Sequence, residues 1–288
     1  MTEPVSTDNR CYRHPDREAY ISCQRCGRTI CPDCMRDASV GFHCPECVAE
    51  AARSVPSPRT LAGGMVSARE GIVSMSLIGI NVAAFLLTLA VGGNSSAFFQ
   101  QGAMLSVSVL DRAGNVLTGV AEGGYWRLIT SAFLHENVLH ILFNMYALYL
   151  FGPLVERALG VRRFIAAYFT VAVVSSVFVY WLAAPNALTI GASGAVFGLF
   201  AIALILLIRA GQDVTFLLVM LAINAFISLQ GNISWQGHLG GFVAGLILGA
   251  TFAYAPRERR TQLQILVFAG LWIGSVVAVV LRTGQLIA

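Results

Sequence analysis

The chain has 288 residues, of which 56% are hydrophobic and only 12% charged, and its mean hydropathy is +0.70. A soluble globular protein carries about 25% charged residues, so this composition excludes an ordinary cytosolic enzyme, a disordered chain and a nucleic-acid-binding module. The net charge of +4 comes entirely from Arg on the basic side. With no Lys present, every mechanism built on a lysine base or a Schiff base is excluded as well.

Residues 1–50 form a polar, cysteine-rich head. No apolar stretch that could serve as a secretory signal precedes Cys11. The soft ligands fall in four pairs with two residues between: Cys11 and His14, Cys23 and Cys26, Cys31 and Cys34, Cys44 and Cys47. Eight ligands in four knuckles suit two closed tetrahedral zinc sites of four ligands each. His43 is a spare donor beside Cys44. Disulfides are the competing reading, but seven cysteines leave one unpaired and the repeated spacing is that of metal knuckles. So short a segment builds little core, so bound metal would supply much of its folding energy. The order of the pairs resembles B-box-like zinc modules. That resemblance implies alternating pairs, with Cys11, His14, Cys31 and Cys34 on one ion and Cys23, Cys26, Cys44 and Cys47 on the other; sequential pairing stays open. None of these sets leaves a coordination position for catalysis, so the head reads as a structural or partner-docking module.

Residues 51–70 are rich in Pro, Ser, Gly and Ala and read as a linker. Seven apolar runs follow, near 72–92, 137–155, 164–184, 193–209, 214–231, 237–255 and 263–282. About 20 apolar residues span a bilayer, which predicts an all-α polytopic membrane protein. If every run crosses, ten Arg near the span ends (Arg53, Arg59, Arg69, Arg157, Arg162, Arg163, Arg209, Arg257, Arg259, Arg260) fall on one side. Only Arg112, Arg127 and Arg282 fall on the other. By the positive-inside rule the head is cytoplasmic and the C-terminus outside, as expected for a multi-pass plasma-membrane protein. The long loop 93–136 holds Trp126, Arg127 and several apolar residues, and is expected to pack on the membrane surface.

Polar side chains within apolar spans are costly and point to function. Those standing out are His135, His140 and Asn144 on the second run, Ser193 on the fourth and His238 on the sixth. Asn81 and Asn224 read as helix-linking amides. His135 and His140 come close to an H-E-x-x-H motif, but five residues apart on one helix they would diverge by about 140°, which disfavours a shared metal. The remaining acids of the body sit in predicted loops or at helix ends. His140 and Asn144, four apart, share a face. Ser193, between Gly191 and Gly194, opens a helix and is either a plain N-cap or a nucleophile with an end-of-helix N–H beside it. His238 precedes Gly241 and Gly245, a small-residue face that would let the sixth run approach the start of the fourth. An imidazole and a serine brought together this way are the minimal nucleophile–base pair.

Taken in order, Trp126-Arg127, His135-x4-His140-x3-Asn144, Gly191-x-Ser193-Gly194-x2-Phe197-Gly198 and His238-x2-Gly241-x3-Gly245 resemble the rhomboid family of intramembrane serine proteases. The resemblance covers about residues 71–255. It implies a six-helix bundle with 256–288 as an additional seventh span, and a Ser193–His238 dyad. It also implies an oxyanion hole of His140, Asn144 and the Ser193 N–H, and Phe197 packed against the His238 ring. Trp126 and Arg127 would stabilise the first loop, with His135 structural at least in part. The implied substrates are transmembrane proteins within the lipid bilayer. No cofactor is implied for catalysis, and no nucleic acid; the head is left to bind a protein partner or to regulate. Two other readings remain: a catalytically silent scaffold of the same fold, and a transporter, although no repeated halves are visible.

Overall fold

The computed structural model describes residues 9–54, 59–66, 70–229 and 234–288. By internal contacts the chain divides into a unit of residues 1–58 and a unit of residues 59–288.

In the first unit, two short antiparallel hairpins carry the knuckles. Strand β1 (Ile21–Ser22) pairs with β2 (Thr29–Ile30), and β3 (Arg36–Asp37) pairs with β4 (Phe42–His43). The Cys23–Cys26 turn lies between β1 and β2, and Cys31 caps a single 3-10 turn, Pro32–Cys34, that ends on Cys34. Helix α1 (Pro45–Ser54) begins inside the last knuckle and carries regular structure past residue 50, where the composition suggested a linker. Its core is Cys11, Cys23, Cys31, Cys34, Cys44 and Cys47 with Ala19 and Ile30. Apart from the thiols, little apolar surface is buried there.

The second unit is helical. Its apolar helices are α2 (Ile72–Ala90), α5 (Val138–Leu159), α6 (Val161–Leu182), α7 (Ser193–Arg209), α8 (Thr215–Leu229), α9 (Trp235–Tyr254) and α10 (Arg260–Ile287). These match the seven apolar runs in order. Five are long and apolar enough to cross a membrane; α7 and α8 are shorter. The long loop is ordered by α3 (Ala97–Gly102), the hairpin of β5 (Val109–Leu110) with β6 (Val116–Leu117), and α4 (Arg127–Thr130). Thr189, just before α7, is bridged in antiparallel fashion to Met104 of this loop, which ties the loop to the approach to α7.

Helix α6 is buried along most of its length and α7 along its first three turns, so these two form the centre of the bundle. The additional helix α10 is held on α6 by polar contacts in an apolar seam. Trp272 Nε1 donates to Thr170 Oγ1 at 2.9 Å, Trp181 Nε1 donates to the Ala278 carbonyl at 3.0 Å, and the Tyr180 and Thr283 hydroxyls are 2.8 Å apart. Such bonds add specificity where every surface is apolar. Part of the expected linker also packs here: Ala62 donates its N–H to the Ala158 carbonyl and accepts from Gln264 Nε2.

Candidate active site in the helical bundle

Helix α7 starts at Ser193, and its capping position is Ala192, with no side chain serving as cap. The Ser193 hydroxyl is therefore not used as an N-cap. It is directed instead at His238, on the first turn of α9, with Oγ 2.7 Å from Nε2. His238 is buried and Ser193 half-buried.

Glycine makes this approach possible. A Cβ at Gly241 would lie 1.9 Å from the Gly194 carbonyl oxygen, and one at Gly245 would lie 2.3 Å from the Gly198 oxygen. The two helices thus meet backbone to backbone, as small-residue faces allow. Gly191 has φ +120°, a conformation that L side chains rarely adopt. A Cβ there would also fall 2.7 Å from His140 Nε2 and 3.7 Å from Ser193 Oγ, so these two polar atoms flank one point. The Phe197 ring lies one turn beyond Ser193 and stacks on the His238 imidazole, centroids 4.2 Å apart and planes 10° from parallel. A flat contact of this kind restrains the ring without competing for its nitrogens.

Residues 122–255 match the family model described as the Rhomboid domain. Over 148 residues the chain is 34% identical to a protein of Bacillus subtilis named "Putative rhomboid protease YdcA"; the match covers 49% of this chain and 74% of that protein. The chain belongs to the rhomboid family. It is also 33% identical to the rhomboid protease GluP of B. subtilis over 46% of this chain, but spans only 27% of that longer protein. It is 30% identical to the rhomboid-like protease 1 of Toxoplasma gondii, covering 46% of this chain and 49% of that one. This rhomboid is accordingly a multi-pass membrane protein, and its family match takes in the helices that carry Ser193 and His238.

Other site residues of this rhomboid sit differently from what the sequence suggests. His135 is not on α5. The helix is capped by Asn137, whose side chain accepts from the His140 N–H, and His135 lies in the turn before it. His135 and His140 do not share one continuous helix, so the divergence of about 140° does not arise; the two rings meet edge to face, centroids 5.0 Å apart. His135 is fully buried and neither ring nitrogen has a hydrogen-bond partner among the described residues. Asn144 gives its amide hydrogen to the His140 carbonyl within α5. Asn81 and Asn224 likewise donate to carbonyls four residues back, those of Leu77 and Met220.

In the long loop, Trp126 Nε1 donates to the Gln101 carbonyl. Arg127, fully buried, donates to the carbonyls of Gln100, Ala103 and Thr118 and to Gln101 Oε1. One guanidinium thus gathers chain segments from both sides of the hairpin.

Two polar residues of the bundle had no signal in the sequence. Ser228 on α8 places its hydroxyl 2.6 Å from His238 Nδ1. Glu156 lies near the end of α5, as its position suggests, but is buried, and it caps a different helix. Its carboxylate accepts from the N–H of Val73 and Ser74 and from the Ser74 hydroxyl. Helix α2 has Gly71 as its N-cap and no side-chain cap of its own, so Glu156 supplies the acceptor that its first turn lacks.

The first unit holds two further clusters. Cys11, His14, Cys31 and Cys34 converge in one, and Cys23, Cys26, Cys44 and Cys47 in the other; within each, all ligand atoms lie within 4.8 Å of one another. The pairs alternate along the chain. His14 Nδ1 is 3.8 Å from the Cys11 sulfur and 3.4 Å from those of Cys31 and Cys34, and the Cys26 and Cys44 sulfurs are 3.8 Å apart. A zinc tetrahedron with ordinary bond lengths has S···S edges of about 3.8 Å and S···N edges of about 3.5 Å. A disulfide needs about 2.05 Å, and all seven cysteines are free. The donor sets therefore fit a metal ion.

Burial pushes the Cys11 and Cys23 thiols up, but backbone N–H groups donating to their sulfurs outweigh it and bring both to about 6. Thiolates gathered this closely repel one another without a cation among them. Arg28 offers part of the compensation, donating to Cys26 Sγ at 3.4 Å. His43 lies on β4 and belongs to neither cluster. Elemental analysis of protein purified without chelator is expected to give about two zinc per chain; a chain free of metal would refute the metal reading.

Proposed function

We propose that this rhomboid is an intramembrane serine endopeptidase that hydrolyses peptide bonds in or near the transmembrane segments of other membrane proteins. The observation that carries the reading is the 2.7 Å contact between Ser193 Oγ and His238 Nε2. In this mechanism Nε2 takes the hydroxyl proton as Oγ attacks the scissile carbonyl, then returns it to the leaving amine. The oxyanion is held by the Ser193 N–H at the start of α7 and by His140, whose Nε2 lies beside the same point as Ser193 Oγ. Asn144 joins them once its amide turns away from the His140 carbonyl. Gly191, Gly194, Gly241 and Phe197 hold the pair in register, His135 backs the His140 ring, and Trp126 and Arg127 fix the loop above.

A cavity of about 30 Å³ beside Ser193 counts Ser131, Ser175, Ser176 and Thr189 among its lining residues. It has room for about one water and gives the hydrolytic water a polar route. On the other side of His238, a cavity of about 410 Å³ lined by Phe197, Leu221, Ala225, Trp235 and Phe242 offers apolar space for substrate side chains. A helical substrate hides its carbonyls in its own hydrogen bonds, so it must unwind locally to react.

The boundaries proposed with this function are a zinc-binding, B-box-like head over 1–50, a linker over 51–70, the protease core over 71–255 and an added seventh crossing over 256–288. The arginine bias places the head in the cytoplasm and the C-terminus outside. The two metal sites are structural zinc sites with closed ligand sets, and the head is left free to dock a protein partner. A fluorophosphonate probe separates this reading from a silent scaffold. Labelling of the wild type at Ser193 is expected, and an unlabelled, well-folded wild type would refute the proposal.

A further inference from the structure

The Ser228 hydroxyl makes two short contacts at once. Its Oγ lies 2.6 Å from His238 Nδ1 and 2.6 Å from the main-chain oxygen of Asn224. A serine hydroxyl has one hydrogen, and a carbonyl oxygen can only accept. Both contacts are hydrogen bonds together in one arrangement alone. Ser228 donates to Asn224, and His238 donates an Nδ1–H to Ser228. Were Ser228 to donate to Nδ1 instead, two oxygens would face each other at 2.6 Å with no hydrogen between them.

A neutral imidazole with its proton on Nδ1 has its lone pair on Nε2, the nitrogen 2.7 Å from Ser193 Oγ. We propose that Ser228 is a positioning residue for His238. It fixes the tautomer in which Nε2 accepts the Ser193 proton and restrains the ring from the edge while Phe197 restrains it from the face. The proton balance is simple. The Ser193 hydrogen passes to Nε2, the resulting imidazolium keeps its hydrogen on Nδ1 and donates it to Ser228 Oγ, and the Ser228 hydrogen stays on its own oxygen, donated to the Asn224 carbonyl throughout. An orienting partner for the base is the third element of nucleophile–base sites in general; here a neutral hydroxyl from α8 fills the place a carboxylate takes elsewhere. This inference rests on the Ser193–His238 reading above.

The test combines ring ¹⁵N NMR of histidine-labelled full-length protein with steady-state cleavage of a model transmembrane substrate, for wild type, Ser228→Ala and Ser228→Thr. A His238→Gln spectrum assigns the signals. Wild type is expected to show a protonated Nδ1 and a pyridine-type Nε2 on His238. Ser228→Ala is expected to move population towards the Nε2–H form and to lower kcat by about tenfold or more, with KM within about twofold. Ser228→Thr, which keeps the hydroxyl, is expected to restore the wild-type tautomer and most of kcat. A wild-type ring carrying its proton on Nε2, an unchanged tautomer in Ser228→Ala, or a Thr variant as impaired as Ala would each overturn the proposal. The NMR readings need no turnover, so they test Ser228 even if the chain cleaves nothing, an outcome that would instead sink the protease reading.

Discussion

Replacing Ser193 by Ala is expected to abolish cleavage of a transmembrane substrate while leaving the fold intact. The hydroxyl is the group that faces His238 Nε2. Removing the nucleophile of a serine protease costs about 10⁶-fold in kcat, so product should fall below detection. The fold should be indifferent for three reasons. Ala192, not Ser193, occupies the cap position and no side-chain cap is lost. Alanine is the better helix former. The position is also only half-buried. Gel-based cleavage run beside thermal unfolding in detergent checks both halves: residual cleavage by the variant argues against Ser193 as nucleophile, and a collapse in thermal stability would make its inactivity uninformative about chemistry.

The second large effect is expected where no reacting atom is touched. A Cβ at Gly241 would sit 1.9 Å from the Gly194 carbonyl oxygen and 2.8 Å from the carbon bearing it. Those are backbone atoms of a packed helix and cannot swing aside, so Gly241→Ala must push α9 from α7 by an appreciable fraction of a contact distance. His238 and Ser193 sit on opposite sides of that seam. A displacement near 1 Å can cost about 100-fold in rate, and overpacking costs about 1–3 kcal/mol of stability. Activity should therefore drop by about one to two orders of magnitude together with a lower unfolding temperature. Gly270→Ala on α10 is the matched control. A Cβ there meets nothing within 4 Å, so the general preference of helices for Ala over Gly should leave it as stable as wild type or slightly more so. Equal behaviour of the two variants would refute the backbone seam as the feature that aligns the pair.

Much of this architecture is legible from spacing. The seven apolar runs give the helices in order because backbone hydrogen bonding in a bilayer leaves few alternatives to helix. The paired cysteines announce two ligand sets because metal knuckles are short local turns, although which pair joins which is settled only by the tertiary fold. The glycine pattern on the fourth and sixth runs predicts close contact because small residues alone permit it.

Other features leave no local trace. His135 reads as a continuation of a helix until Asn137 is seen to cap α5 behind it. Glu156 reads as a charge at a helix end, and only the packing of α5 against α2 turns it into the cap of another helix's first turn. Ser228 is one hydroxyl among many in an apolar run.

By itself, then, the sequence determined what repeats or alternates along the chain: the crossings, the knuckles, the small-residue faces, and the pair of side chains worth watching. Tertiary structure decided which atoms meet. It set the contact of Ser193 Oγ with His238 Nε2, the serine beside Nδ1, and the orientation of the Asn144 amide towards its own helix. The reason is one of scale. Periodicity constrains a helix face to within a turn, whereas a hydrogen bond requires placement to a few tenths of an ångström, and that precision comes only from helices locked against one another.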